Sequence, residues 1–519
     1  MCLYRFRGVS STEPVPLGRS LPMFRSAETY IYLKPYAGTV ITSRLQQDLP
    51  LYNRWWQSGD PPESEDSPYR ESRRSDYENH IDAVRNRRFY ALVGPDGSGK
   101  SSTLYQVVHD LIVRNGVDPD HIVYVPLENP LYTLESDQFV FDVYDWYMSY
   151  VRRHSSNGND TLYFLLDDIH RINDWAKQAK RVLDQAESIH VAVTLPTEVP
   201  ALKRFEESLS EVRSVLLPPK FYDFAQSNAG VPGLAKRDYV YPIRDGLASK
   251  RGVDLATLVG ECLKLQERLV TDCENLPSVA NDYLFNSGLR GEPGRGLSTI
   301  KQRLQLALYK DVQQFYSIED PSDLFTLCVL VAQEPVREYQ FSRLAEQLGT
   351  DRRTVQKYID ILQEFLVLSP SYKWGYQRHR TLRMYLRDPR YVSALNLLSD
   401  TDAQPVTSDH RRNLIYSVVY DHLRRLAYYV NDYEDVEMPV GYWDEANESV
   451  EYVLNVDGSP APVALTTRRG EETATEAVYD CLKDTEATRG VVAGEDIQQP
   501  YAGDDRVLRL PLWMLLYIC

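Results

Sequence analysis

The stretch Arg88-Phe89-Tyr90-Ala91-Leu92-Val93-Gly94-Pro95-Asp96-Gly97-Ser98-Gly99-Lys100-Ser101-Ser102 decides how this chain is read. Its first half is a continuous apolar run, as a strand buried on both faces requires. Its second half satisfies GxxxxGK[ST] in full, with Gly94, Gly99, Lys100 and Ser101 at the four fixed places. The residues after it, Thr103-Leu104-Tyr105-Gln106-Val107-Val108, continue as a helix. Strand, Gly-rich turn and helix in that order are the context in which this motif has chemical meaning. The glycines let the backbone N–H groups of residues 94–102 curl round phosphates, and the helix N-terminus faces their negative charge. Lys100 then reaches the outer phosphates and Ser101 ligates Mg²⁺. The nucleotide-binding candidates are therefore Gly94, Pro95, Asp96, Gly97, Ser98, Gly99, Lys100, Ser101 and Ser102.

Outward from the loop, similar apolar runs recur at HIVYVPLE (121–128), TLYFLLDD (161–168), IHVAVTL (189–195) and VRSVLL (212–217), with helical stretches between them. Five strands with helical crossovers predict a doubly wound, mostly parallel sheet over 71–230. The third run ends in Asp167-Asp168. An acid at a strand end beside such a loop holds Mg²⁺ or its water, and the next one polarises the attacking water, so Asp167 is the metal candidate and Asp168 the water candidate. Asp168 is one methylene shorter than Glu, which favours slow hydrolysis or a nucleotide-held switch. Thr194, at the end of the fourth run, stands where a sensor of the terminal phosphate would sit. Arg213 reads as a surface arginine, with an arginine acting in trans as its alternative.

Residues 231–321 lack strand signals and predict a helical lid. Over 322–372, DLFTLCVLVAQ, FSRLAEQLG and DRRTVQKYIDILQEF predict three helices, with Thr350 or Asp351 capping the third. Strand-like FLVLS and Tyr372-Lys373-Trp374 complete a winged helix. In 373–519, YVLNVDG and APVALTT read as a hairpin round Asp457-Gly458, and the final LPLWMLLYIC reads as a buried last strand. Residues 1–70 are rich in Pro and Ser and read as an arm, with Asn53-Arg54-Trp55-Trp56 as a docking element for the next domain.

The chain has 519 residues, too many for a single core. Its 58 Lys and Arg stand against 74 Asp and Glu, a net charge of −16 that excludes a bulk nucleic-acid coat. Only 14 of the positive residues are Lys and 44 are Arg, a balance suited to a salt-adapted or GC-rich organism. Six cysteines without CxxC spacing suggest neither a disulfide framework nor a zinc site. The first residues lack the apolar stretch of a signal peptide, and no run reaches the ~18–20 apolar residues of a membrane span. The expectation is a soluble, cytoplasmic protein.

The segments GPDGSGKSSTLYQVVHDLIVRNGVDPDHIVYVPLENPLY, LYFLLDDIHRINDW and LLPPKFYDF resemble the archaeal and bacterial AAA-like ATPases that carry a C-terminal DUF4143 region, within the STAND-related part of the P-loop class. Asn53-Arg54-Trp55-Trp56 is similar to an NPWW-like element before the loop in archaeal members. The resemblance implies an α/β P-loop NTPase core, a helical lid, a winged-helix domain and a C-terminal restriction-endonuclease-like domain. It also implies MgATP as cofactor and assembly into a homo-oligomer, with Gly94, Gly99, Lys100, Ser101 and Asp167 at family positions. The family usually has Asp-Glu where this chain has Asp167-Asp168.

Nuclease chemistry of the kind that tail resembles needs two acids and a lysine round a metal. Here the first acid is Glu451, the Glu-x-Lys place reads Ala464-Leu465-Thr466, and the helix position for a further Glu is Ile415. The expectation is no nuclease activity. Double-stranded DNA remains a candidate partner through Arg352, Arg353 and Lys357. The segment 371–390 adds Lys373, Arg378, Arg380, Arg383, Arg387 and Arg390 against the single acid Asp388. The alternatives are an inter-domain hinge whose charges pair internally, and a winged helix that docks protein.

Overall fold

A computed structural model describes residues 43–63, 77–127, 137–152, 161–197, 213–229, 231, 236–248, 254–272, 275–286, 296–376, 381–396, 407–434, 436–445, 448–503 and 506–519. Most of the expected arm lies outside the described residues, as do the DNA candidates Arg378 and Arg380.

Five strands form the first sheet: β1 (Phe89–Val93), β2 (Ile122–Pro126), β3 (Leu162–Asp167), β4 (Ile189–Leu195) and β5 (Arg213–Val215). Their order is β2-β3-β4-β1-β5 and every pairing is parallel. Strands β1, β3 and nearly all of β2 and β4 are buried, as a sheet with helices on both faces demands. The chain leaves β1, skips two places, works back to β4 and then crosses to the far side of β1. That reversal places a switch point at the carboxyl end of β1, where open α/β sheets bind ligands.

The helices of this region are α1 (Ser43–Tyr52), α2 (Trp55–Ser58), α3 (Tyr77–Asn86), α4 (Lys100–Val113), α5 (Phe139–Tyr150) and α6 (Trp175–Leu183). The short α1–α2 segment closes the free edge of the sheet. Asn53 Nδ2 donates to the Tyr124 carbonyl at 2.8 Å and Asn53 Oδ1 accepts from the Tyr124 N–H at 2.7 Å. Both Trp55 Nε1 and Trp56 Nε1 donate to the Ile122 carbonyl. Edge strands must be covered or paired, and here an Asn-x-Trp-Trp run supplies the pairing.

Helices α7 (Phe221–Ala229), α8 (Lys236–Tyr239), α9 (Tyr241–Leu247), α10 (Leu255–Asp272), α11 (Leu276–Asn286), α12 (Leu297–Leu306) and α13 (Val312–Phe315) follow, without an intervening strand among the described residues. Next come α14 (Ser322–Gln333), β6 (Tyr339–Gln340), α15 (Phe341–Gln347), α16 (Arg352–Glu364), β7 (Leu368–Ser371) and β8 (Thr381–Leu386). The three strands pair antiparallel in the order β6-β8-β7. Asp351 caps α16, accepting from the N–H groups of Arg353 and Thr354, which decides between Thr350 and Asp351. The expected wing partner Tyr372-Lys373-Trp374 does not pair within this sheet. It pairs instead with the C-terminal region: the Trp374 N–H donates to the Tyr442 carbonyl and the Tyr442 N–H to the Tyr372 carbonyl. Gly441 makes the approach feasible, since a Cβ there would stand 2.8 Å from the Tyr372 carbonyl oxygen.

The C-terminal region contains α17 (Pro389–Asn396), α18 (Ser408–Val430), β9 (Val440–Glu445), β10 (Glu448–Val456), β11 (Ser459–Leu465), α19 (Gly470–Asp484), β12 (Gly490–Gly494), β13 (Tyr501–Ala502), β14 (Val507–Pro511) and α20 (Leu512–Ile518). Strands β9, β10 and β11 form an antiparallel meander; β11, β12 and β14 run parallel. The β10–β11 turn has Asp457 and Gly458 at φ 49° and 81°, the positive angles of a tight hairpin. The expected last strand is corrected: residues 512–518 are a helix, every one of them buried. Pro511 ends β14 and opens that helix, and a short run apolar on all sides has no period by which strand and helix can be told apart. Among the described residues no helix is long and apolar enough to cross a membrane.

Candidate nucleotide site

The loop between β1 and α4 stands at the switch point, and its shape follows from its glycines. Gly97 and Gly99 have φ of 76° and 97°, conformations that cost other residues free energy. At Gly94 the constraint is space: a Cβ would stand 2.1 Å from the Leu216 carbonyl oxygen. The Gly94 N–H donates to the Leu195 carbonyl at 3.0 Å, tying the loop to β4. Lys100 is buried, and its Nζ donates to the carbonyls of Gly94 (2.9 Å) and Pro95 (3.1 Å) inside the loop. Ser98 Oγ is buried with no hydrogen-bond partner among the described residues. An unpartnered hydroxyl, a buried ammonium and backbone bent back on itself at the head of a 14-residue helix make a cradle that fits phosphate.

Asp167 ends β3, two strands away from β1, with Thr194 of β4 between them. Tyr124 Oη donates to Asp167 Oδ2 at 2.6 Å and Thr194 Oγ1 donates to Asp167 Oδ1 at 2.5 Å. One donor on each oxygen fixes the carboxylate plane and leaves further lone pairs for a cation. Thr194 Oγ1 also accepts from the Asp168 N–H at 2.7 Å, so one fully buried hydroxyl holds both acids in register. Asp168 sits at φ 57°, a left-handed conformation that turns its side chain out of the strand direction. Burial, and then the charge of Asp167, push its carboxyl up to about 6, against the pull of Lys100, His170 and Arg171. Arg171 Nε lies 3.7 Å from it.

The sequence candidates thus converge: Gly94 to Ser102, Asp167, Asp168 and Thr194 all lie at the carboxyl ends of β1, β3 and β4. Sequence reasoning missed Tyr124 and Arg303, and placed Arg390 in the basic segment rather than at this loop. Tyr124 is the central residue of the run IVYVP, but nothing in the sequence reports that its hydroxyl meets Asp167. Arg303 of α12 stands 3.7 Å from Asp96, and Arg390 donates to the Gly97 carbonyl. Arg213 lies exposed on β5.

A family model described as "AAA domain" matches residues 86–224, the span just built from β1 to α7. The chain carries an AAA-like P-loop ATPase core. A second model, described as a domain of unknown function (DUF8612), matches residues 289–402. No curated protein matches the chain. Among solved structures, the chain is similar to the Orc1 protein of Aeropyrum pernix in complex with DNA, at 16% identity over 66% of this chain and 95% of that one, with a TM-score of 0.28. The Walker-type ATPase of Pyrococcus abyssi is similar at 12% identity over 66% of this chain and 99% of that one, TM-score 0.31. AMPPCP-bound DnaA of Aquifex aeolicus is similar at 14% identity over 58% and 90%, TM-score 0.22. For an AAA-like core a nucleotide, usually with Mg²⁺, is the implied cofactor. A bound Mg²⁺ would supply charge neutralisation at the outer phosphates, and Ser101 and Asp167 are the side chains that would hold it.

The basic candidates fare unevenly. Arg352, Arg353 and Lys357 are exposed on α16, with Lys357 Nζ donating to the Ser317 carbonyl. Arg383 is corrected as a DNA candidate: it is 5% exposed, pairs with Asp444 at 3.2 Å and lies over the Tyr442 ring. Lys373 pairs with Glu445, Arg387 with Asp421, and Arg390 with Asp388. Of the expected positive island, Arg383, Arg387 and Arg390 carry charge turned inward, while Lys373 is paired at the surface with Glu445.

Proposed function

We propose that the chain binds MgATP at Gly94–Ser102, hydrolyses it slowly, and uses its nucleotide state to set how the winged-helix segment and tail are held. The arrangement that carries this reading is the single hydroxyl of Thr194 bridging Asp167 and Asp168 beside the loop of Lys100. In it Asp167 and Ser101 hold the metal, Lys100 holds phosphate, Asp168 orients water, and Thr194 reports on the outer phosphate. Slow turnover follows from the reach of Asp168, one methylene shorter than Glu; its carboxyl, raised to about 6, is mostly ionised near neutral pH, so side-chain length and not protonation limits it. DNA is the proposed partner of α16 through Arg352 and Arg353, in a protein of the cytoplasm that assembles with its own kind.

A second reading is favoured by the pairing of Lys373, Arg383, Arg387 and Arg390 with acids of this chain. In that reading the winged-helix segment and tail dock protein, and ATP binding is structural. On either reading the tail is no nuclease. Its Glu451 is engaged by Arg469 and by the Leu465 N–H, and Ala464 and Thr466 stand where a carboxylate and a lysine are needed. The deciding assay is ATP turnover by wild type and Lys100→Ala, with and without duplex DNA. Turnover that falls to background in Lys100→Ala and rises with DNA supports the first reading. Unchanged turnover with no DNA retention at low salt supports the second, and no nucleotide binding by wild type removes both.

A further inference from the structure

The residues 387–390 form a short rigid bridge between the nucleotide loop and the C-terminal helix α18. Asp388 is 1% exposed and receives three N–H groups of Arg390: the backbone at 2.9 Å, Nε at 3.0 Å and Nη2 at 2.6 Å. So held, Arg390 Nη2 donates to the carbonyl of Gly97 at 3.1 Å. A Cβ on Gly97 would stand 3.3 Å from that nitrogen, so the loop glycine admits the guanidinium as well as the positive φ. Arg387, on the other side of Asp388, turns the opposite way. Its backbone N–H bonds the Val367 carbonyl, and its Nε donates to Asp421 Oδ1 of α18 at 3.1 Å. Arg425 takes the other oxygen of Asp421 at 2.7 Å, and Arg424 reaches Ser369 Oγ of β7. Two arginines three residues apart therefore grip, from one strand end, the loop that meets phosphate and the helix that carries the tail.

We infer that Arg390 is a positioning residue for the nucleotide loop, coupling phosphate binding at Lys100 to the docking of α18 through Asp388, Arg387 and Asp421. The inference rests on the nucleotide-binding reading above. Lys100 Nζ is bonded to the carbonyls of Gly94 and Pro95; to serve a phosphate the ammonium must turn, and the peptides of the loop turn with it. The Gly97 carbonyl is one of those peptides, and Arg390 is clamped too firmly by Asp388 to follow without moving the strand end. The coupling is reciprocal: whatever shifts α18 changes nucleotide affinity by the same factor.

Hydrogen exchange on the full chain, with and without MgATP, tests this. In wild type, MgATP should slow exchange both at 94–113 and at 408–430. In Arg390→Ala the response at 94–113 should persist while that at 408–430 falls at least threefold, and Arg390→Lys should restore part of it. Asp388→Asn, which loosens the clamp without removing the guanidinium, gives the same result if Arg390→Ala folds poorly. A full response at 408–430 in both variants, or none there in a wild type that responds at 94–113, overturns the coupling alone. A wild type that binds no nucleotide overturns the nucleotide reading and the coupling with it.

Discussion

Asn53 and Tyr124 are joined through both hydrogen-bonding edges of the asparagine amide, at 2.7 and 2.8 Å, across 71 residues of sequence. A single side chain thereby acts as one residue of an additional strand at the edge of β2. The same Tyr124 directs its hydroxyl to Asp167 at 2.6 Å. Edge closure and the orientation of Asp167 thus share one residue.

Asn53→Ala should be destabilising well beyond an ordinary surface change. Asn53 is fully buried, and its removal strands the N–H and C=O of Tyr124. At ~1–3 kcal/mol for each buried group left unpaired, a loss of about 2–6 kcal/mol is expected, read as a lower urea midpoint at unchanged slope. A midpoint within experimental error of wild type would show that the edge is held by Trp55 and Trp56 alone.

The places of the Gly94–Ser102 loop, Asp167 and Thr194 at the strand ends are legible in sequence because each is written locally: a loop motif between strand and helix, or a polar residue ending an apolar run. What stayed hidden depends on contacts far along the chain. Asn53 meets Tyr124, Arg390 meets Gly97 across 293 residues, and Arg383 meets Asp444 across 61. Counting charges over 371–390 finds one acid and six bases, yet Asp421, Asp444 and Glu445 supply the missing negative charge from other elements. The last helix was misread for a related reason: burial on every side erases the periodicity by which a helix is recognised.

Thr194→Val keeps the shape of the side chain and removes its hydroxyl. Asp167 then loses a donor and the Asp168 N–H its acceptor. Removing a partner that orients a metal ligand typically costs ~10–100-fold in metal affinity or activity. Mg²⁺-dependent turnover should fall by about that factor, while nucleotide binding without Mg²⁺ changes little; Thr194→Ser should recover most of the loss. Equal turnover in Thr194→Val would remove Thr194 from the site.

Asp168 links activity and stability with opposite pH dependence. Its carboxyl, raised from 3.8 to about 6 in the folded chain, holds its proton to higher pH than in the unfolded chain. Stability therefore falls as pH rises between those values and stays lower above them. Asp168→Asn has no such proton to lose, so at pH 8 it should be more stable than wild type, on the order of 1–3 kcal/mol, with the advantage gone below pH ~4. Wild-type turnover should rise through pH ~6 as the carboxylate forms, and Asp168→Asn should be slow with a flat profile. Thermal melts and turnover measured across pH 4–9 test both halves, and a variant as active as wild type would relieve Asp168 of any part in orienting water.

The DNA reading rests on two exposed arginines, and their neighbours set a demanding test. Arg352 and Arg353 open α16, whose first turn is capped by Asp351 and whose face also carries Asp360. With acids so near, affinity must come from direct phosphate contacts rather than from a diffuse field. Each lost contact lowers the slope of log K against log salt by ~0.9, so Arg352→Ala/Arg353→Ala should lower it by about 2 on duplex DNA, uniformly across sequences. Arg383→Ala is the matched control. Arg383 already spends its charge on Asp444 and Tyr442, so its loss should weaken the fold and leave the salt slope where it was. A slope that follows Arg383 instead, or a wild type whose DNA retention ignores salt, would move α16 from nucleic acid to protein docking.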